Sequence, residues 1–113
     1  MLLIYQPDPP RDAAPSEMAE MFQAYTAYTE RVRASGAFVD AAPLVAPSSA
    51  TTVRVRDGKR VITDGPFAET KEWLGGYYVI ECDSLDRALD LAADCPGASY
   101  GSIEIRPVMD IGD

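Results

Sequence analysis

Hydrophobic positions divide the chain into short strands and two amphipathic helices. An apolar run at residues 1–5 is typical of a buried strand. Residues 15–35 carry apolar side chains at three- and four-residue spacing, which predicts a helix that ends at Gly36. Ser84 is placed to cap a second helix, which Pro96 ends. The remaining apolar runs predict strands at residues 38–44, 51–56, 59–64, 77–82 and 102–107.

The predicted elements follow the order β, α, β, an inserted β-hairpin, β, α, β. Without the hairpin the order is βαββαβ, the α+β ferredoxin-like plan, in which both helices cover one face of an antiparallel sheet. The strand at 77–82 is apolar at both alternating sets of positions, so its second face should also be covered. We expect the hairpin and a second subunit to cover it, which predicts a homodimer of one domain spanning residues 1–113.

The turn of the hairpin decides its register. A two-residue turn would set Val53 opposite Ile62, whereas a three-residue loop sets Val53 opposite Val61. The longer loop gathers the valines of both strands on one face. Because register follows the cleaner apolar face, we expect the longer loop.

Composition supports a single folded domain. The chain is 47% hydrophobic and 25% charged, which is ordinary for a globular protein with one core. We expect that core to combine strand-face and helix-stripe positions. These are Leu3, Phe22, Tyr25, Val32, Ile80, Leu85, Leu89, Ile103 and Ile105.

Charge and cysteine content exclude several classes of partner and cofactor. The net charge of −8 argues against nucleic acid and against an anionic membrane surface. No apolar run approaches the ~18 residues of a membrane span, and the first residues lack the basic flank of a signal peptide, so we expect a cytoplasmic protein. With no histidine and two cysteines, the chain also lacks the ligands of a zinc site, and we expect neither metal nor cofactor.

Residues 63–78 read TDGPFAETKEWLGGYY. This segment resembles the signature of the DGPF branch of the YCII-related family, and residues 1–5, 51–59 and 101–108 resemble other parts of it. The resemblance implies a bacterial, dimeric α+β barrel. Many members are uncharacterised, some are encoded beside or fused to extracytoplasmic-function sigma factors, and relatives with the same barrel include small isomerases and lyases. YCII proteins outside this branch are thought to use a His–Asp pair, which a chain without histidine cannot form.

The charged residues of this segment are the candidate catalytic groups. Asp64 comes first, because it lies where a strand meets the loop, and Glu72 is second. A structural interpretation competes with this one: residues 64–66 are turn chemistry, and Gly75 and Gly76 let another backbone or a ligand approach closely.

The aromatic residues of the same segment indicate a ligand pocket. Phe67 and Trp73 flank the charged residues Glu69 and Lys71, and aromatic side chains beside charges can floor a binding site. Lys71 is a candidate anion contact. Two tyrosines of the expected central strands complete the predicted ligand-binding set; they are Tyr5 and Tyr77.

Three functions fit these observations. The first is a domain that binds or senses a small, aromatic or acidic molecule. The second is a cofactor-independent enzyme, isomerase- or lyase-like, that transfers protons through Asp64 or Glu72. The third is a structural or protein-interaction dimer. A buried pocket around Asp64 favours the first two, and a flat surface favours the third.

Overall fold

The computed structural model describes residues 1–7, 15–68 and 70–112. In this part of the chain, short 3₁₀ turns at Pro47–Ser49 and Pro96–Ser99 accompany six strands and two α-helices. The elements are β1 (Leu2–Pro7), α1 (Pro15–Ala34), β2 (Phe38–Pro43), β3 (Thr51–Arg56), β4 (Lys59–Asp64), β5 (Glu72–Ile80), α2 (Leu85–Ala93) and β6 (Ser102–Ile105).

Four strands form one antiparallel sheet in the order β2-β5-β1-β6. This is the strand order of a ferredoxin-like βαββαβ unit, so the predicted α+β fold is confirmed. The two remaining strands, β3 and β4, form a separate two-stranded sheet between β2 and β5 in the chain.

Local signals for both helices act as the sequence predicts. Ser84 caps α2, since its hydroxyl accepts a hydrogen bond from the Arg87 backbone N–H at 3.2 Å. Gly36 follows α1 with a φ of 82°, a conformation that favours glycine and ends the helix. Arg31 and Arg33 lie in the last turn of α1, where the helix dipole favours positive charge.

Strand β5 begins at Glu72, five residues before the predicted start. Its first residues pair with the end of β1, and the register shifts between Ile4 and Tyr5, so the glycine pair lies inside the strand. A Cβ atom added to Gly76 would lie 2.9 Å from the Ala42 carbonyl oxygen of β2. Close approach of a neighbouring backbone, as expected for this glycine, is therefore confirmed.

The predicted register of the hairpin is wrong. Val53 lies opposite Ile62, and Arg56 lies opposite Lys59. The turn residues Asp57 and Gly58 have φ angles of 53° and 75°. Positive φ at both positions is typical of the two-residue turn whose twist matches that of paired strands. Because neither face of this hairpin is buried in the chain, apolar grouping does not set its register.

The core lies between the helices and one face of the four-stranded sheet. Leu2, Tyr28 and Val32 are its most deeply buried side chains. Tyr28 also donates a 2.6 Å hydrogen bond to the Leu91 carbonyl oxygen in the last turn of α2, where helix carbonyls lack partners in the helix. The buried cluster consists of Leu2, Ile4, Tyr28, Val32, Ala37, Tyr78, Leu91, Ala92 and Cys95.

Only part of the predicted core is correct. Val32 is buried, and the half-buried Tyr25, Ile80, Ile103 and Ile105 pack against the core cluster. Leu3 is half-buried on the other sheet face, since its neighbours Leu2 and Ile4 face the helices. Three predicted core residues are instead exposed: Phe22 by 74%, Leu85 by 64% and Leu89 by 50%.

The helix residues that face the sheet differ from those predicted. In α2 the buried positions are Ala88, Leu91 and Ala92, which leaves the leucine stripe at the side of the helix. In α1 the buried positions are Tyr28 and Val32, both in its C-terminal half. The N-terminal half of α1 therefore stands away from the sheet.

Candidate functional site

A groove of about 780 Å³ opens where the N-terminal half of α1 stands away from the sheet. One wall is the helix, and the floor and opposite wall come from strands β1, β2 and β5. The volume is in the range of small-molecule sites, which are concave and mostly apolar.

Sulfur-containing and aromatic side chains form the helix wall. Met18, Met21 and Phe22 line the groove while remaining 61%, 39% and 74% exposed. Methionine side chains adapt their shape to what they contact. The groove therefore offers an adaptable apolar wall that the single chain leaves in contact with solvent.

Two tyrosines, Tyr25 and Tyr78, line the groove, and a third, Tyr28, lies in the adjoining core. The hydroxyls of Tyr78 and Thr29 are 2.6 Å apart, and the ring of Tyr28 meets the Tyr78 ring edge-on at a centroid distance of 5.2 Å. Tyr25 lines the groove, and its hydroxyl lies 3.9 Å from the Cys95 Sγ atom. The lining of the groove thus includes hydroxyl groups in apolar surroundings.

Burial keeps these phenols in the neutral form. Loss of hydration raises the pKa of Tyr25 and of Tyr78 above the usual value, and nearby Cys95 raises both further. Burial likewise raises the pKa of the Cys95 thiol. At neutral pH the tyrosines therefore act as hydrogen-bonding groups, and Cys95 is a buried thiol with little nucleophilic character.

Charged and polar groups border the groove. The Arg33 guanidinium carbon lies 4.0 Å from the centre of the Phe38 ring, a stacked cation–π contact. Glu30 lies one helical turn before Arg33 and also borders the groove, and Gln6 of β1 contributes an amide. The arrangement can hold an apolar body and orient a polar end group.

Trp73 is the one predicted ligand-binding residue that the described structure brings into this groove. Its indole Nε1 donates a 3.1 Å hydrogen bond to the Pro7 carbonyl oxygen, which fixes the ring beside β1. Gly75 and Gly76 line the groove next to it, and their lack of side chains keeps this wall open. The glycine pair and Trp73 thereby link the sequence signature to the groove.

The first half of the signature is tied to the hairpin instead. Thr52 Oγ1 donates a 2.8 Å hydrogen bond to the Gly65 carbonyl oxygen, and the Gly65 N–H donates to the Ala50 carbonyl oxygen at 2.7 Å. Arg54 Nη2 donates to the Phe67 carbonyl oxygen at 3.1 Å. These bonds fold the loop back onto β3, away from the residues that line the groove.

No buried pocket surrounds Asp64 in the described part of the single chain. Asp64 ends β4 opposite Thr51, and both residues are exposed. The cause is the hairpin itself, which projects from the sheet and lies beneath no other element of the described chain. The catalytic role of Asp64 stays a prediction.

The other predicted site residues are dispersed. Glu72 and Lys71 are exposed where the loop enters β5, and Phe67 is 77% exposed. Tyr5 and Tyr77 are half-buried on the sheet face opposite the helices, as the burial of their neighbours Ile4 and Tyr78 indicates. Glu69 lies outside the described residues. The predicted set therefore does not form one site in the single chain.

Sequence reasoning missed most of the groove. Met18 and Phe22 carry the helical spacing of a core stripe, and this spacing predicts Phe22 as a core residue. The signal for the groove that the sequence does contain is two methionines within one helical stretch, together with a glycine-rich strand elsewhere in the chain. Flexible side chains are common at binding surfaces.

Within residues 1–7, 15–68 and 70–112, no cluster of three or more potential metal-ligating acidic, cysteine or histidine side chains occurs. Within the same residues, no helix combines the length and the apolar character needed to cross a membrane.

Comparison with known protein families shows the family of this chain. The sequence model of the YCII-related domain matches residues 1–112. The chain belongs to the YCII-related family. Its resemblance to the DGPF signature thus lies within a match that spans nearly the whole sequence.

A relative in Rhizobium meliloti (strain 1021) is similar to this YCII-related protein. The two are 52% identical over 69 residues, and that protein is described as uncharacterised. The aligned segment covers 59% of this chain and 56% of the relative, so the chain spans about half the length of the relative it matches. The likeness adds no activity to the family assignment.

Proposed function

We propose that this YCII-related protein binds a small molecule with an apolar body and a polar end group in the groove between α1 and the sheet. The observation that carries the proposal is the exposed apolar helix wall, Met18, Met21 and Phe22, facing the half-buried Trp73 across an open volume. Binding is favourable when a ligand removes the exposed apolar surface of a concave site from water.

The polar groups support a ligand that carries a negative or hydrogen-bonding end. Arg33 is the guanidinium at the groove, held in place by stacking on Phe38, and the Thr29–Tyr78 hydroxyl pair can redirect a proton toward a ligand oxygen. Glu30 disfavours a second negative charge nearby. Together these groups favour a monoanion or a neutral polar molecule over a polyanion such as a nucleotide.

A thermal-shift screen tests this proposal with benzoate, 2-naphthoate and decanoate as probes. A ligand that binds only the folded state stabilises it by RT ln(1 + [L]/Kd), so the melting temperature keeps rising with the logarithm of ligand concentration above Kd. We expect such a concentration-dependent increase with at least one probe. Absence of any increase at millimolar probe concentration would count against the groove as a site for apolar anions.

Two substitutions on neighbouring helix positions localise the effect. Thr26 lines the groove, whereas Ala27 is an exposed neighbour that does not line it. Thr26→Phe should fill the groove and abolish the shift, and Ala27→Phe should retain it. Equal loss or equal retention in both variants would place the ligand elsewhere.

The partner that we propose is a second copy of the chain, placed against the sheet face opposite the helices. Leu3, Tyr5, Tyr77 and Val79 are half-buried apolar residues on that face, which no helix of the described chain covers. A large unpartnered apolar surface favours association. Sedimentation velocity at micromolar concentration should give a dimer, and a stable monomer would refute this assignment.

A cytoplasmic location is also part of the proposal. Cys95 is buried and Cys82 is half-buried, and both are free thiols. Free cysteines are typical of reducing compartments. Fractionation of the native host, with the protein detected by antibody, tests the location.

A further inference from the structure

The groove between α1 and the sheet is long as well as apolar. On the helix its lining runs from Met18 to Arg33, which at about 1.5 Å per residue is a length of about 22 Å. On the sheet it runs from the level of Phe38, which pairs with Ile80, to Trp73. That stretch of β5, at about 3.3 Å per residue, has a similar length. The groove is therefore an elongated site of about 20 Å.

Contacts between α1 and the sheet define one end of the groove, which carries its charge. The Arg33 guanidinium carbon lies 4.0 Å from the centre of the Phe38 ring, and one turn earlier the Thr29 hydroxyl lies 2.6 Å from the Tyr78 hydroxyl. Both contacts lie at the C-terminal end of β5. Among the described residues that line the groove, the charged ones are Arg33 and its helix neighbour Glu30.

The opposite end of the groove is uncharged. Because those contacts join the C-terminal half of α1 to the end of β5, the beginning of the helix lining, at Met18, lies toward the beginning of β5, at Trp73. Gln6 pairs with Trp73 in the sheet, and a Cβ atom added to Gly75 would lie 2.6 Å from the Gln6 amide nitrogen. This end therefore combines apolar side chains with one neutral amide.

The walls between the two ends favour a hydrocarbon chain over a peptide. The backbones of β1, β2 and β5 are hydrogen-bonded to one another within the sheet, and their side chains stand on its faces. An extended peptide brings a donor and an acceptor with every residue, and these would leave water without gaining partners. A hydrocarbon chain brings neither, and it would contact the apolar side chains of Ile4, Met21 and Phe22.

We propose that the ligand of this groove is an unbranched monocarboxylic acid in an extended conformation, with its carboxylate at Arg33 and its chain along α1 toward Trp73. This inference rests on the proposed function and narrows the ligand class within it. Guanidinium groups bind carboxylates through paired N–H donors, and stacking on Phe38 fixes the plane of this one. Glu30 at the same end disfavours a second carboxylate there.

Isothermal titration calorimetry with octanoate and tetradecanoate, each below its aggregation concentration, tests the carboxylate position. Affinity should rise about two- to fourfold for each added methylene that leaves water. Arg33→Gln should weaken both acids about tenfold, because each loses the same charge-assisted contact. Arg31→Gln is the matched control: Arg31 is exposed and does not line the groove, so both affinities should stay within about twofold of wild type.

A charge at the far end tests the extended conformation. Met18→Glu should weaken tetradecanoate at least about fivefold, because the chain would cover a carboxylate, and should leave octanoate within about twofold, since the shorter chain ends before Met18. Gln23→Glu adds the same charge at an exposed position of α1 that does not line the groove. It should leave both affinities unchanged.

Three results would overturn the inference. Equal affinity for octanoate and tetradecanoate, or an equal loss of both in Met18→Glu, would exclude an extended ligand. Unchanged affinities in Arg33→Gln would exclude the carboxylate position. Binding of 2-naphthoate that Thr26→Phe abolishes, with no binding of either acid, would keep the groove as a site but assign it to compact ligands. If no probe binds, the proposed function fails as well.

Discussion

The four-stranded sheet and the β3–β4 hairpin are both antiparallel, yet burial of side chains determines the strand register only in the sheet. In the sheet, Leu2, Ile4 and Tyr78 face the helices and are nearly inaccessible to solvent. In the hairpin, every residue of β4 is exposed, and β3 is at most half-buried. Register in the sheet follows from which side chains must leave water, whereas register in the hairpin follows from the backbone of its turn.

This difference teaches where hydrophobic pattern is a reliable guide. A pattern of apolar side chains specifies structure when the surface that it covers belongs to the same chain. Where no surface of the same chain covers the apolar side chains, local backbone preferences determine the strand register. The exposed apolar side chains then indicate a missing partner.

The largest expected effect contrasts truncation of the two regions. Leu2→Ala removes a fully buried side chain between the sheet and the helices and should lower the free energy of unfolding by about 2–5 kcal/mol. Val53→Ala in the hairpin should change it by less than about 0.5 kcal/mol at concentrations where the chain is monomeric. Urea denaturation followed by circular dichroism measures both, and equal losses would break the distinction between the regions.

The glycine pair gives an intermediate effect within one strand. A Cβ atom at Gly76 meets the rigid backbone of β2, so Gly76→Ala should destabilise the fold by about 1–3 kcal/mol. At Gly75 the nearest atoms belong to the flexible Gln6 side chain, which can move aside. Gly75→Ala should therefore cost less, and the reverse order in chemical denaturation would contradict the register of β5.

Removal of one buried hydroxyl should have a comparable or smaller effect. Tyr28→Phe leaves the Leu91 carbonyl oxygen without its 2.6 Å donor in the core and should cost about 1–3 kcal/mol. Tyr100 donates an exposed 3.7 Å hydrogen bond to the Met21 sulfur, so Tyr100→Phe leaves no buried carbonyl oxygen without its donor and is a control that should cost less. A neutral Tyr28→Phe would show that water replaces the lost partner.

The pH dependence should be the smallest effect near neutrality and should grow in alkali. Burial raises the pKa of Tyr25, Tyr28 and Tyr78 above their usual value of 10.0, so the unfolded chain loses these protons first. Stability from the neutral phenols is complete below pH 10 and falls as the pH rises above it toward the folded-state values. Tyrosinate absorbance at 295 nm should then rise together with loss of circular dichroism; separate transitions would contradict burial of these phenols.

The sequence specified the elements better than it specified the site. Helix spacing, the Ser84 cap and Gly36 located both helices, because these signals act over a few residues of backbone. The start of β5 was missed, since its glycine pair is typical of a connection until pairing with β1 is known. Phe22 and Leu89 were assigned to the core because helical spacing identifies a stripe without showing what lies against it.

The composition of the candidate site depends on which distant residues come together in space, and no local sequence pattern contains that information. The signature residues adjoin one another in sequence, but Trp73 enters the groove while Phe67 lies on the loop tied to β3. Adjacency in sequence therefore does not become adjacency in space. The groove itself exists because one half of α1 stands away from the sheet, which depends on the packing of the whole domain.

Energy transfer from Trp73 to 1-anilinonaphthalene-8-sulfonate tests the central claim of a groove that binds apolar anions most directly. Trp73 is the single tryptophan of the chain and lines the groove, so a dye bound there should quench its emission saturably with one site per chain. Thr26→Phe should abolish the quenching, and Ala27→Phe should preserve it. Dye fluorescence that rises without saturable Trp73 quenching, or quenching that is unchanged by Thr26→Phe, would contradict binding in this groove.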